Sequence, residues 1–424
     1  MKLFEPKILK SFKNYKAKDY ISDIVAGVIV AIIALPLSIA LAIASGAAPE
    51  TGLFTAIIAG FFTSLLGGSK VNITGPTAAF ATIVAGIIFT QGMDGLLLAT
   101  VMAGIMLILM GILRVGSLIK YIPHTITVGF TSGIAVTLVI GQLKDLLGLT
   151  YPEGASAIET VDKIKLISEN ISTLNPWALS VGLLGLAVLI VWPKIFSKIP
   201  ASLIAVLIGA AVCLIPIIKA DTIGSLYKIS SALPSFRLPV ITGERITALL
   251  PSAFTIALLA GIESLLSCVV SDKMINDKHN SNTELIALGT SNLLVGLFGG
   301  IPATGAIART AANVKNGGRS PLSGMVHAAV LLLVLALLMP LASYIPMSII
   351  AAILIMVAYN MSEWREFLSV LKTKKWNDIL VLVLTFSLTV IFDLVKAIAV
   401  GLVVHYAIAT VKFILMKRKS KNKN

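Results

Sequence analysis

Charge is scarce in this chain: Asp, Glu, Lys and Arg make up 13% of its 424 residues, about half the share found in an ordinary soluble protein. Cysteine is nearly absent. The two present, Cys213 and Cys268, sit inside apolar runs, where they read as small buried hydrophobes and say nothing of redox compartment. The four histidines, His124, His279, His327 and His405, are scattered without ligand spacing, so no metal site is expected. No Gly-rich phosphate loop is present, which argues against an ATP-driven pump, and no cofactor is expected. No signal peptide is expected either, because the first long apolar run, Ile24 to Ala44, follows a basic amphiphilic stretch.

What the chain has in excess is hydrophobic residues, at 57%. They gather in runs long enough to cross a bilayer, about 20 residues each, and leave no room for a sizeable water-soluble domain. The class is an all-α polytopic membrane protein, and cytosolic enzymes, nucleic-acid binders and secreted disulfide scaffolds are excluded. Turn signals and charged interruptions place spans near 22–46, 50–67, 74–90, 94–113, 121–142, 177–192, 199–218, 246–270, 284–299, 303–315, 320–341, 344–360, 377–393 and 395–414. These are fourteen transmembrane segments. The formal net charge of +14 invites a nucleic-acid partner until the charges are located. Lysines crowd residues 1–20, and basic residues crowd the end, including 415–424. By the positive-inside rule both tails are cytoplasmic, which requires an even number of crossings of the cell inner membrane. The run Lys417-Arg418-Lys419-Ser420-Lys421 reads as an inner-leaflet anchor. The stretch 144–175 reads as an external loop with a short amphipathic helix.

Placed on this scheme, all but one of the 34 Lys and Arg residues fall in tails, in loops or at span ends, the denser clusters on the side that holds both tails. The exception is Arg309. Among the 20 acidic residues, Asp23, Glu50, Asp94 and Asp393 fall near span ends or turns, and one lies deep inside an uninterrupted span. It is Glu263. An ionisable group at bilayer depth costs about 2.5–3.5 kcal/mol or more, so each marks a substrate or ion path, the other reading being a structural ion pair or a helix cap.

Two segments interrupt the spanning pattern in the same way. Val71-Asn72-Ile73-Thr74-Gly75-Pro76-Thr77-Ala78-Ala79 is an extended Gly-Pro lead into a small-residue helix, and Gly299-Gly300-Ile301-Pro302-Ala303-Thr304-Gly305-Ala306-Ile307-Ala308-Arg309-Thr310 is the second. Each is the third span of its half when the chain is cut near residue 230 into two seven-span repeats, 21–230 and 231–414. Ser38-Ile39-Ala40-Leu41 in the first span echoes Thr255-Ile256-Ala257-Leu258 in the eighth. An odd repeat forces the second copy to be inverted in the membrane, and paired interrupted helices point to a transporter site. Helices beginning at mid-depth aim unpaired N–H groups and a positive dipole end at a common point, which attracts an anion. The candidate substrate contacts are Thr74, Gly75, Thr77, Ala78, Gly305, Ala306, Ile307, Ala308 and Arg309. Tight helix packing through small residues is the other reading of these segments.

The sequence resembles the SulP (sulfate permease, prestin-related) anion transporters. The resemblance is carried by Asp23-Ile24-Val25-Ala26-Gly27, Leu35-Pro36-Leu37-Ser38-Ile39-Ala40, Ile73-Thr74-Gly75-Pro76-Thr77, Gly261-Ile262-Glu263-Ser264 and Ala308-Arg309-Thr310-Ala311-Ala312-Asn313-Val314 with Gly317-Gly318. It covers nearly all of residues 20–412. It implies a seven-plus-seven inverted repeat split into core and gate domains, with half-helices at spans 3 and 10 and the anion held between them. Leu37 and Leu41 of the first span line the site by the same resemblance. The family's cation-coupling carboxylate corresponds to Glu263, with Ser267 one turn on; Glu leans toward a proton, where sodium-using members often have Asp. Ala308 stands where some members have Ser. The family usually carries a cytoplasmic STAS domain after the last span, and no such domain is expected here, so regulation assigned to it does not transfer. Dimers are common in the family, and a homodimer is possible here.

The expected function is a secondary active transporter for sulfate or another small oxyanion or dicarboxylate, proton-coupled, moving by an elevator-type alternating access. The rivals are a nucleobase:cation symporter of the same architecture, an uncoupled anion channel and an intramembrane enzyme. A neutral base wants carboxylates opposite its N–H groups, and the tenth span offers Arg309 instead. An enzyme would need an aspartate pair or a His-rich cluster, and none is evident.

Overall fold

The computed structural model describes residues 4–12, 15–117, 123–152, 157, 159–196, 199–373, 375–391, 397, 400–404 and 410. After a short turn of helix, α1 (Ile8–Ser11), come α2 (Ala17–Ala44), with Pro36 inside it, and α3 (Pro49–Leu66). Proline suits the first position of α3 because the N–H it lacks has no partner there anyway. An extended pair, β1 (Thr74–Gly75), leads through a 3₁₀ turn over Ala78–Phe80 into α4 (Ala81–Ile112). At Gly92 the backbone of α4 takes φ 70° and ψ −178°, a conformation closed to residues with a Cβ. Two of the expected spans, 74–90 and 94–113, therefore run end to end across one glycine break.

The chain continues through α5 (His124–Leu147), α6 (Thr160–Glu169), α7 (Pro176–Ile195), α8 (Ala201–Cys213) and α9 (Ile223–Leu226). Then come α10 (Gly243–Ile275), α11 (Ser281–Leu297), β2 (Thr304–Gly305), α12 (Ile307–Lys315) and α13 (Leu322–Leu338). The described helices close with α14 (Met347–Met361), α15 (Trp364–Lys372) and α16 (Trp376–Ile391). Eight helical stretches among the described residues are long and apolar enough to cross a membrane, and Ala201–Cys213 and Trp376–Ile391 are shorter apolar helices. Of the expected fourteenth span, 395–414, residues 397, 400–404 and 410 are described and helical, and the rest lies outside the described residues.

The chain divides into two compact units, one of Met1–Ile119, Gln142–Tyr151 and Asn170–Leu354, the other of Lys120–Gly141, Pro152–Glu169 and Ile355–Asn424. In the first, α4 packs on α10 and α11, α3 on α2, α11 and α13, and α2 on α13. Glycine sets the closeness of the α4–α11 crossing. A Cβ on Gly104 would fall 2.6 Å from the Leu293 nitrogen, and one on Gly289 would fall 2.6 Å from the Gly104 carbonyl. Such backbone contact is how helices associate where apolar surface alone supplies no drive. In the second unit, α15 packs on α16, with the Phe367 ring edge-on to Phe386. α15 falls between the expected spans 344–360 and 377–393; a nine-residue helix is too short to announce itself and is carried by that packing.

Candidate anion site

The two interrupted segments lie side by side in the first unit. Thr74 pairs with Gly305 and Gly75 with Thr304, antiparallel, and the Ala306 N–H donates to the Ile73 carbonyl at 2.9 Å. Side chains secure the flanks. Asn292 donates to the Ala303 carbonyl and accepts from its N–H, both at 2.9 Å, and Thr304 donates to the Ala260 carbonyl at 2.8 Å. Backbone polar groups freed by a broken helix must find such partners inside a membrane protein.

Beyond the paired strands, each segment turns at once into a helix start. The positions ahead of the first turns, Thr77 and Ala306, have extended backbone and make no side-chain cap. Ala306 has no side chain able to cap, and Thr77 uses its hydroxyl elsewhere. The first N–H groups of both starts are thus left without a capping side chain.

Arg309 lies over this junction with only 3% of its surface exposed. Its Nη2 donates to the Pro76 carbonyl, while the buried Nη1 has no hydrogen-bond partner among the described residues. Gly75 makes room for it, since a Cβ there would sit 2.4 Å from Nη1. Among the described residues no carboxylate lies within 4.0 Å of the guanidinium. A buried cation with an unused donor is costly unless an anion completes it. Glu263 of α10 is half-buried and accepts from Thr77 Oγ1 at 3.0 Å.

The remaining candidates divide by exposure. Ile307 is 39% exposed, Ala308 is exposed, and Thr77 and Ala306 are half-buried, so these form the accessible edge of the group. Thr74, Gly75, Ala78 and Gly305 are buried behind it. Leu37 is half-buried and Leu41 buried on α2, which packs against α12. Ser267 is fully buried and donates to Asn72 Oδ1 at 2.7 Å, so it belongs to the support behind the strands.

That support holds residues the sequence did not single out. Asn72 spends all its hydrogen-bonding capacity: its amide donates to Ser264 Oγ at 3.1 Å and Glu284 Oε1 at 2.7 Å, and its oxygen accepts from Ser267 and Thr310. Glu284, expected at the start of a span, is 0% exposed one turn into α11; its Oε2 accepts the N–H groups of Gly68 and Ser69. Asp23, expected near a span end, is likewise buried inside α2 and accepts from the N–H groups of Arg319 and Ser320. Both lie near helix starts, as expected, yet each is buried there and held by backbone donors that no sequence pattern displays. His327, set aside as scattered, is fully buried on α13 with neither ring nitrogen partnered among the described residues. A Cβ built on Gly60 would lie 3.3 Å from its Cδ2 and 3.5 Å from the Thr74 carbonyl oxygen, which places the ring behind β1. Histidine in an apolar run was the available signal.

The sequence pattern of the sulfate permease family matches residues 20–385. The chain belongs to the sulfate permease family. Members of this family are transporters, and the mostly helical, multi-pass membrane fold agrees with that membership. The putative sulfate transporter YvdB of Bacillus subtilis is 44% identical over 397 residues, spanning 93% of this chain and 74% of that protein. The bicarbonate transporter BicA of Picosynechococcus is 34% identical over 395 residues, 90% of this chain and 69% of that one. Among solved structures, the transmembrane domain of a cyanobacterial BicA superposes with a TM-score of 0.82 at 31% identity, covering 90% of this chain and 98% of that one. SLC26A9 superposes with a TM-score of 0.84 at 21% identity, covering 96% of this chain and 67% of that one, and shares the fold.

Proposed function

We propose that this sulfate permease family member is a proton-coupled secondary transporter of a small oxyanion, sulfate or bicarbonate class, held between the helix starts at Ala78 and Ile307 beside Arg309. One observation carries the reading: a buried guanidinium with an unpartnered Nη1 stands over two uncapped helix starts, with no carboxylate in ion-pair range among the described residues. Amides and a cation converging on one point form an anion site. The names of the similar proteins, a putative sulfate transporter and bicarbonate transporters, support an anion and not a nucleobase.

On this reading Thr77, Ala78, Ile307 and Ala308 present the anion with backbone and hydroxyl donors, Ala306, whose N–H is given to the Ile73 carbonyl, lets the anion approach closely past its small side chain, and Leu37 and Leu41 close the site from the first span. Thr74, Gly75 and Gly305 hold the strands close, and Ser267 braces Asn72 behind them. Glu263 carries the coupling proton. An anion that crosses with a proton moves less charge through the field, each uncompensated charge being worth about 2.3 kcal/mol per 100 mV. The finer architecture belongs to the same proposal: fourteen spans in two inverted repeats, 21–230 and 231–414, half-helices at the third and tenth, cytoplasmic tails at the inner membrane, and elevator-type movement of the part that holds the anion.

The test is purified protein in liposomes with labelled sulfate, bicarbonate, succinate and uracil, with and without an acid-outside pH gradient. Uptake of one of the anions, driven by the gradient and collapsed by a protonophore, is expected. Uptake of uracil alone would reject the anion site, and anion flux indifferent to the gradient would reject the coupling.

A further inference from the structure

Thr77 stands at the N-cap position of the helix start at Ala78, with φ −131° and ψ 159°. A threonine hydroxyl there ordinarily accepts an N–H of the first turn. Here it makes no cap, and its single proton is given to Glu263 Oε2, 3.0 Å away on α10. An ionised carboxylate only accepts, so it holds that proton in place. A protonated carboxyl is itself a donor, and the lone pairs of Thr77 Oγ1, to which no described residue donates, are the acceptor beside it.

Resting on the proton-coupled reading above, we propose that Thr77 is a donor-reversal switch linking proton binding at Glu263 to anion binding at the helix starts. A proton taken from water onto the carboxylate turns the bond round. Glu263 then donates to Thr77 Oγ1, and the freed Thr77 O–H rotates to donate to the anion beside Arg309. When Glu263 returns its proton to water, the Thr77 hydroxyl swings back to the carboxylate and the anion loses a donor. Proton and anion therefore strengthen each other's binding, as linkage requires.

The surroundings leave this bond as the place where the two meet. α10 packs against α4, α11, α12 and Thr304–Gly305. Asp94, the charged residue of α4, is engaged by Arg245 at the start of α10. Glu284 of α11 is held by Gly68, Ser69 and Asn72. On α12, Lys315 is exposed at the far end, and Arg309 is the cation that acts on Glu263. Thr304–Gly305 carries no charge, and the other charged residues of α10 itself, Glu244, Asp272 and Lys273, lie toward its ends.

The experiment measures binding of labelled sulfate to the purified protein at mildly acid and at alkaline pH, for wild type, Thr77→Val and Thr77→Ser. Sulfate keeps both charges throughout, so only the protein titrates. Thr77→Val is expected to bind about tenfold more weakly than wild type at acid pH, the worth of one hydrogen bond to a charged group. At alkaline pH, where the wild-type hydroxyl is committed to Glu263, the two are expected to bind alike. Thr77→Ser is expected to follow wild type at both. Equal loss at both pH values would make Thr77 a fixed ligand or a packing residue and overturn the switch, as would no loss at either. A wild-type affinity that ignores pH would overturn the coupled reading and the switch together, which separates the two failures. A second readout needs no anion: the infrared C=O stretch of protonated Glu263, identified by its disappearance in Glu263→Gln. Thr77→Val is expected to raise its frequency because the carboxyl loses its acceptor; an unchanged frequency overturns the reversal whichever anion is carried.

Discussion

Arg309 and Gly75 form one device. The guanidinium reaches the junction only because residue 75 has no side chain, a Cβ there falling 2.4 Å from Nη1. Gly75→Ala is expected to displace the guanidinium and weaken sulfate binding while leaving the protein folded, checked by binding beside a thermal melt. Arg309→Ala is expected to weaken sulfate binding by roughly tenfold to a hundredfold, from the loss of charge-assisted hydrogen bonds; wild-type affinity would remove Arg309 from the site. Both Arg309 and Glu263 were legible in the sequence because each interrupts an apolar stretch with a charge. Glu284 and Asp23 were not, because each lies close to the edge of its run and looks like an end residue; burial becomes visible only when Gly68, Ser69, Arg319 and Ser320 turn their N–H groups inward. Asn72 and His327 carry no full charge at neutral pH, so neither stands out from its stretch as a lone Arg or Glu does.

Among the elements, long apolar helices announced themselves because about 20 such residues have few soluble alternatives. Their crossings did not. The α4–α11 contact depends on Gly104 and Gly289 meeting backbone to backbone, and a glycine in an apolar run has the same letter whether it packs, bends or breaks. Gly92 breaks and Gly104 packs. Gly104→Leu is expected to prevent assembly of the first unit, seen as loss of monodisperse protein in detergent, whereas Gly243→Ala, with nothing within 4 Å of the added methyl, is expected to be tolerated. The N-terminal strap is a second element-level feature. Lys7 and Lys70 each approach Asp277 at 3.1 Å, and the Lys7 N–H donates to the Gly67 carbonyl at 2.9 Å. Burial pushes the Asp277 carboxyl up, but the Lys278 backbone and the two lysines outweigh it and hold the carboxyl below its ordinary value. A carboxyl so lowered stabilises the fold above its unfolded-state value and loses that contribution as pH falls through the folded one. Protease cleavage within residues 4–12 is therefore expected to rise only in acid below the usual carboxylate range, and Asp277→Asn is expected to raise it at neutral pH.

For the molecule as a whole, the tails carry much of the +14 charge, and the positive-inside rule turns that into an orientation. Cysteine-accessibility labelling of tagged tails in intact cells and in inverted vesicles is expected to find both ends on the cytoplasmic side; opposite sides would contradict an even number of crossings. Membrane class and family were readable from composition and motif, while the antiparallel meeting of residues 74–75 with 304–305 needs coordinates, because it joins parts of the chain more than two hundred residues apart. The central claim is that this meeting point holds an anion. Selenate, a heavier analogue of sulfate, tests it through an anomalous difference map of crystals grown in its presence. The predicted result is one peak between the first turns at Ala78 and Ile307, within hydrogen-bond reach of Arg309 Nη1. A peak elsewhere, or none at saturating selenate in crystals of a protein shown to bind it in solution, would contradict the claim.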